Sequence, residues 1–336
     1  MPKRDIKTYN VIQQTARVDD DVIEKMGIDV KAVTSNAPSN PGLSKEVYEE
    51  GDYYCFCDVY GVLWKMPKIG GFYYDMVEQP FKNEVDVQAV ASYPWTDMND
   101  PIIYKDMKAK ADLFTYEQEK AYCLERPYGG IWETALWVCG FESMYCNMMI
   151  EKDFAHALMK KITELRMQYW KNAVEQVKDS ILIVSEADDV ASQNGLLCSM
   201  ELYKEMVHPY HKKLFSYIKS LSKEKIYINY HTCGAAKEML PLLIEEGVDI
   251  INPVQISAKG MNTKELKKEF GNDLVFWGGG IDTQYVLQNG TKQEIYDEVK
   301  RRIDDLAPGG GFVFSAVHNI QANVPPENVA YMWEAL

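Results

Sequence analysis

The chain has 336 residues, 46% hydrophobic and 26% charged, enough to bury a large core as one big α/β domain or two smaller ones. Fifty acidic against 36 basic residues give a formal charge of -14, which argues against nucleic acid and anionic membrane surfaces and for a small molecule or a cofactor protein as partner. No apolar run approaches the roughly 20 residues of a membrane span, the opening Met1-Pro-Lys-Arg-Asp-Ile lacks the apolar core of a signal peptide, and seven cysteines in no regular framework suit a reducing compartment, so the cytoplasm is the expected location.

Residues 1–50 are polar and acidic, end near the turn-rich Ser35-Asn-Ala-Pro-Ser-Asn-Pro-Gly42, and read as an appended arm ahead of a domain over 51–336. Tyr53-Tyr-Cys-Phe-Cys-Asp-Val-Tyr-Gly-Val-Leu-Trp64 predicts two strands around Gly61, a hairpin or a lid; its Cys55-Phe-Cys57 pair has no further ligand nearby and reads as buried strand. A helix is expected through Tyr104 to Phe114, and a short strand near Ala121 to Glu125. The helical stretch from Ile131 to about Val177 is too long for one uninterrupted helix. Strands are then expected at Ser180–Ser185, Lys225–Tyr230, Asp249–Asn252, Leu274–Trp277 and Gly311–Ser315. Between and after them lie helical patterns at Met200–Ser222, Ala235–Glu246, Thr263–Phe270, Lys292–Leu306 and from Pro326 onward. Such alternation means parallel strands with crossover helices, and six or more units over 200 residues predict an α/β fold, a single (β/α)8 TIM barrel, ahead of an open doubly wound sheet.

A barrel carries its chemistry where strands end. Those positions hold Glu186, Asp188 and Asp189, then His231 and Cys233, then Asn252 and Gln255, then Trp277-Gly-Gly-Gly-Ile-Asp282, and last His318-Asn-Ile-Gln321. His231 and Cys233 are two apart at a strand end, so both side chains aim to one side, and Gly234 lets the backbone turn away. With His318 on the same rim they make three N/S ligands with a fourth position open, the arrangement of a catalytic zinc site. His156, His208 and His211 read as surface or packing residues. Gly278-Gly-Gly280 and Gly309-Gly-Gly311 read as sites of close backbone approach and not as phosphate cradles.

The blocks Ala187-Asp-Asp-Val-Ala-Ser-Gln193-Asn-Gly, His208-Pro-Tyr-His-Lys-Lys-Leu-Phe215, His231-Thr-Cys-Gly234, Asn252-Pro-Val-Gln-Ile-Ser-Ala-Lys-Gly260, Trp277-Gly-Gly-Gly-Ile-Asp-Thr-Gln284 and Val317-His-Asn-Ile-Gln-Ala-Asn-Val-Pro-Pro-Glu-Asn328 resemble the uroporphyrinogen decarboxylase superfamily over roughly residues 54–336. The resemblance implies a single (β/α)8 barrel. The arginine-rich opening block of the true decarboxylase has no counterpart here. The His-x-Cys pair with a later ligand is similar to the corrinoid-dependent methyltransferase branch, whose His, Cys and Cys bind zinc; His318 stands where the later Cys would be. That departure is closer to the O-demethylase methyltransferases, which take methyl groups from methoxylated aromatics.

The resemblance thus implies zinc on His231, Cys233 and His318, and a corrinoid carried by a separate partner protein. The substrate would be a small-molecule methyl donor. Asp188 or Asp189, with Glu186 as runner-up, would complete the metal shell or orient the substrate, or else serve as supporting and capping carboxylates. Tyr128, Trp132, Tyr230 and Trp277 would wall a ring-shaped substrate or pack the barrel, with Gln193, Gln255 and Asp282 as polar contacts. Two other activities stay open: methyl transfer from a corrinoid to a thiol or folate, and a metal-free decarboxylation.

Overall fold

The computed structural model describes residues 5–177, 180 and 183–336. Two compact units make up the chain, Met1–Tyr122 with Pro127–Ser180, and Cys123–Arg126 with Ile181–Leu336.

The first unit opens with an antiparallel pair, β1 (Thr8–Asn10) and β2 (Thr15–Ala16), then α1 (Asp20–Lys25) and β3 (Val30–Val33). Next come β4 (Lys45–Glu50), β5 (Tyr53–Cys57), β6 (Leu63–Pro67) and β7 (Asp75–Glu78), an antiparallel sheet in chain order. The hairpin expected around Gly61 is β5–β6, its turn held by Asp58 Oδ1, which accepts from the Tyr60 and Val62 amides. Helices α2 (Val87–Ser92) and α3 (Met107–Asp112) precede β8 (Ala121–Leu124). The long helical stretch is three helices, α4 (Ile131–Cys139), α5 (Phe141–Ile150) and α6 (Lys152–Val177). Gly140, at φ +79°, makes the first break, a conformation that side chains with a Cβ seldom adopt. Along α6 the buried Phe154, Leu158 and Ile162 recur at the four-residue spacing of one helix face.

The second unit runs β9 (Ile183–Ala187), α7 (Met200–Met206), α8 (His208–Ser220), β10 (Tyr227–His231), α9 (Leu240–Glu246), β11 (Ile250–Asn252), α10 (Thr263–Phe270), β12 (Val275–Trp277), α11 (Val286–Asn289), α12 (Lys292–Leu306), β13 (Phe312–Val313) and α13 (Pro326–Glu334). Strands β8 to β13 pair in chain order, each parallel to the next. This is the strand, crossover, strand succession of a (β/α)8 barrel.

Three expectations change. The segment Val30–Val33 was expected within an appended arm, yet it is a strand with Val33 fully buried; the polar sequence around it, and Lys31 within it, mask a short apolar signal. The strand expected at Ser180–Ser185 runs from Ile183 to Ala187, because its ladder with β10 pairs Ala187 with His231; Ile181 and Leu182 lie outside the described residues. The single helical pattern Met200–Ser222 is split at Val207, since Pro209 sits in the first turn of α8 and could not donate into a continuing helix.

The register fixes what each face of the sheet carries, because paired residues of parallel strands point to the same side. Ser185, Asn229, Ile250 and Val275 form one row, and one step further along the strands come Ala187, His231, Asn252, Trp277 and Val313. The opposite face bears Val184, Ile228, Tyr230, Ile251 and Phe276, all buried. Helices cover that face: Tyr230 packs edge-on against His211 and Phe215 of α8. Among the described residues no helix is long and apolar enough to cross a membrane.

Candidate metal centre

The ligand atoms of His231, Cys233 and His318 all lie within 4.8 Å of one another, within the second unit. His231 is the last residue of β10, and Cys233 Sγ is 3.6 Å from its Nε2. A sulfur at about 2.3 Å and a nitrogen at about 2.1 Å on one tetrahedral zinc are themselves about 3.6 Å apart, so this pair already has the spacing the ion requires. His318, in the bend after β13, brings its ring to 6.5 Å from that of His231, centroid to centroid. The donor set therefore fits zinc.

The surroundings prepare His231 as a ligand. Its Nδ1 lies 2.7 Å from Asn252 Oδ1, while Asn252 Nδ2 donates to the Trp277 carbonyl at 3.1 Å, which turns the amide oxygen toward the ring. The imidazole proton is then on Nδ1, and the Nε2 lone pair is directed at Cys233. Burial lowers the pKa of His231, and the Arg126 guanidinium lowers it further. Burial lowers His318 too, against the pull of Asp189. Both shifts favour the neutral, metal-binding imidazole.

Two loops are laced together around Cys233. Its amide donates to Asp189 Oδ1 at 2.7 Å, Val190 N donates to Thr232 Oγ1 at 3.0 Å, and Ala235 N to the Ser192 carbonyl at 2.8 Å. Gln255 Oε1 accepts from Gly234 N. Gly234 sits at φ +89°, and a Cβ there would meet Ala191 O at 2.5 Å and Ser192 O at 2.6 Å. Glycine is required on both counts.

Of the other sequence candidates, Asp189, Gln255 and Trp277 stand with the three candidate ligands as just described. Asp188, Glu186 and Tyr230 do not share their side. Glu186 is paired with Tyr230 across the β9–β10 ladder and so points to the helix-covered face. Asp188 reaches His211 on that side, with 2.6 Å between Oδ2 and Nε2, and Tyr230 donates its hydroxyl to the Asp188 carbonyl at 3.1 Å. Asp282 caps the next turn, its carboxylate accepting from the amides of Gln284 and Tyr285. Gln193 is exposed, and its carbonyl accepts from Lys259 N at 3.0 Å. Tyr128 and Trp132 belong to the first unit: Tyr128 is half exposed with its ring 5.6 Å from Tyr60, and Trp132 is fully buried against Tyr145. That unit also holds an open groove of about 830 Å³ beside Tyr104, Lys108 and Asn172, none of which carries the candidate chemistry.

Two features were missed in the sequence. His211, read as a surface or packing residue, is buried in an ionic cluster. Its Nε2 faces Asp188, its Nδ1 is 2.7 Å from the Tyr203 hydroxyl, that hydroxyl donates to Glu246 at 3.0 Å, and His208 Nδ1 lies 2.9 Å from Glu246. Two histidines three apart on one helix share a face, which was the available signal. The second is Arg126, just past the end of β8, where the barrel rule already pointed.

A family model described as Uroporphyrinogen decarboxylase (URO-D) matches residues 115–336. Among curated proteins, the uroporphyrinogen decarboxylase of Geotalea uraniireducens (strain Rf4) is 27% identical over 180 residues, 54% of this chain and 48% of that protein. The one from Geobacter sulfurreducens is 26% identical over 189 residues, 56% and 50% of the two chains. The chain thus matches about half the length of these relatives. Among solved structures, a methyltransferase from Methanosarcina mazei superposes with a TM-score of 0.61 at 16% identity, covering 82% of this chain and 75% of that one. At that identity the likeness is one of fold, and it agrees with the α/β TIM barrel expected from the sequence. The family match covers more than half of the chain and contains all three candidate ligands, so the chain belongs to the uroporphyrinogen decarboxylase family.

Proposed function

We propose that this protein moves a methyl group from a methoxylated aromatic to the cobalt of a separate corrinoid protein, with zinc held by His231, Cys233 and His318. The observation that carries this reading is the convergence of one thiol and two imidazoles, with the spacing of zinc ligands, at the end of a barrel strand. A structural neighbour that is a methyltransferase supports it. Zinc bound there would supply Lewis-acid polarisation of the ether oxygen, which matters because an aryl ether is inert as long as phenolate leaves poorly.

The chain's own residues set the conditions. Asn252 holds His231 in the ligating tautomer, and Asp189 and Gln255 hold the turn that presents Cys233. One anionic ligand in place of two leaves a cation less neutralised, which suits Lewis-acid work. Trp277, in the same row as His231 and Asn252, offers a ring face to an aromatic substrate. Seven cysteines in no regular framework would suit a reducing, cytoplasmic setting.

The test has two stages. Purified protein should contain about one zinc per chain, and Cys233→Ala should lose it while keeping its circular dichroism. Wild type mixed with reduced corrinoid protein and a panel of methoxylated aromatics should then change the cobalt absorbance. Full activity in metal-free wild type would end the zinc assignment. A second reading, decarboxylation, is favoured by the names of the curated relatives; turnover of uroporphyrinogen by metal-free protein would establish it instead.

A further inference from the structure

Arg126 reaches across from the end of β8 to β9, where its Nη1 donates to Ser185 Oγ at 2.8 Å. Ser185 pairs with Asn229, and Asn229 lies two residues before His231 on the same side of β10. The guanidinium is therefore on the face that carries the metal ligands, one row before them, roughly 7 Å along the strands.

A guanidinium has five N–H donors. Among the described residues the Ser185 contact is the one hydrogen bond Arg126 makes, and its Nε is sealed from water without a partner. In the same row, Asn229 Oδ1 is also buried and unpartnered. Polar groups left in this state cost free energy unless something else completes them. Burial pushes the neighbouring Glu125 carboxyl up, against the pull of Arg126.

We propose that Arg126 binds the carboxylate of the methyl donor, which makes the substrate a methoxylated aromatic acid with its ether oxygen toward His231, Cys233 and His318. The ether end rests on the methyltransferase reading above; the acid end rests on Arg126. An arginine fork pairs with a planar carboxylate through two parallel N–H bonds, and a benzoate ring bridges a separation of the order of two residues of strand. A single guanidinium selects for one acid group.

The test is equilibrium binding to full-length protein of known metal content, with 3-methoxybenzoate, methoxybenzene and benzoate as probes. Wild type should bind 3-methoxybenzoate about tenfold or more tighter than methoxybenzene. Arg126→Met should erase that preference at unchanged metal content, and Arg126→Lys, which keeps the charge without the fork, should retain part of it. If Arg126→Met does not fold, the reduced preference in Arg126→Lys decides. Equal affinity for acid and ether, an unchanged preference in either variant, or no binding of either acid would overturn the proposal. Failure of the methyltransferase reading looks different: both acids would still bind through Arg126, with no methyl reaching cobalt. Methyl transfer at equal kcat/KM from 3-methoxybenzoate and methoxybenzene, unaffected by Arg126→Met, would instead keep that reading and remove the acid site.

Discussion

Asp188 and Asp189 are adjacent in the chain and serve opposite sides of the sheet. Asp188 Oδ2 meets His211 Nε2 at 2.6 Å on the helix side, and Asp189 Oδ1 takes the Cys233 amide at 2.7 Å on the side of the candidate ligands. Extended backbone beyond β9 alternates its side chains, so two neighbouring carboxylates are given different tasks.

Their substitutions should separate stability from metal binding. Asp188→Ala removes one partner of a buried ion pair and should lower unfolding free energy by about 3–5 kcal/mol. Asp189→Ala removes a hydrogen bond at the rim, with a stability loss of about 1 kcal/mol, but should weaken zinc binding by about 10–100-fold. Urea denaturation and competition with a chelator read the two quantities. Equal effects of both variants on both measurements would show that the carboxylates do not divide the work in this way.

How much of this was legible in the sequence depends on the range of each signal. His231 and Cys233 could be placed together because strand geometry fixes i and i+2, and His318 because the strand succession put it on the same rim. The same alternation sends Tyr230 away from His231, although its aromatic ring suggested a substrate wall. The Asp188–His211 pair joins a strand end to a helix 23 residues later, and nothing local specifies that docking. Arg126 follows a four-residue strand, and only the Ser185–Asn229 register reveals which way it reaches. The strand Val30–Val33 was hidden for the opposite reason: its apolar residues are Val30, Ala32 and Val33 alone, with Lys31 among them and polar sequence on both sides.

The ionic cluster predicts a pH dependence. Burial alone would depress His211, but its hydrogen bonds to Asp188 and Glu246 prevail and raise its pKa to about 10, against about 6.5 for an unfolded chain. A raised folded-state value stabilises in full below the unfolded one, and that stabilisation is lost as pH climbs toward 10. The stability gap between wild type and His211→Gln should therefore be widest near pH 6 and shrink steadily by pH 9.5. Urea midpoints across that range measure it, and a gap that grows with pH would mean the imidazole is buried neutral.

Two substitutions should loosen the metal site without touching a ligand. Asn252→Leu removes the acceptor that keeps the proton on His231 Nδ1 and should weaken zinc binding about 10–100-fold, with Asn252→Asp restoring most of it. Gly234→Ala must either abandon φ +89° or drive a Cβ into two carbonyls, and should cost about 1–3 kcal/mol of stability as well as metal. Zinc titration of both proteins alongside their thermal midpoints would show whether orientation and loop geometry act separately. Wild-type affinity in Asn252→Leu would mean that the tautomer is set elsewhere.

The donor set itself yields the most discriminating prediction. His318→Cys should keep the metal, since thiolate and imidazole both ligate zinc, yet it doubles the anionic charge the ligands donate. If the metal's task is to draw electron density from an ether oxygen, demethylation should slow on the order of tenfold, about 1.4 kcal/mol in barrier. A reaction that methylates a thiol would gain from the same charge, because a more electron-rich sulfur attacks faster, so the sign of the change reports the direction of the chemistry. Single-turnover rates should be taken with zinc content measured in the same samples, so that lost metal is not mistaken for lost polarisation. Unchanged or faster ether cleavage by the fully metallated variant would remove the Lewis-acid assignment and leave His318 as a ligand whose identity the reaction does not feel.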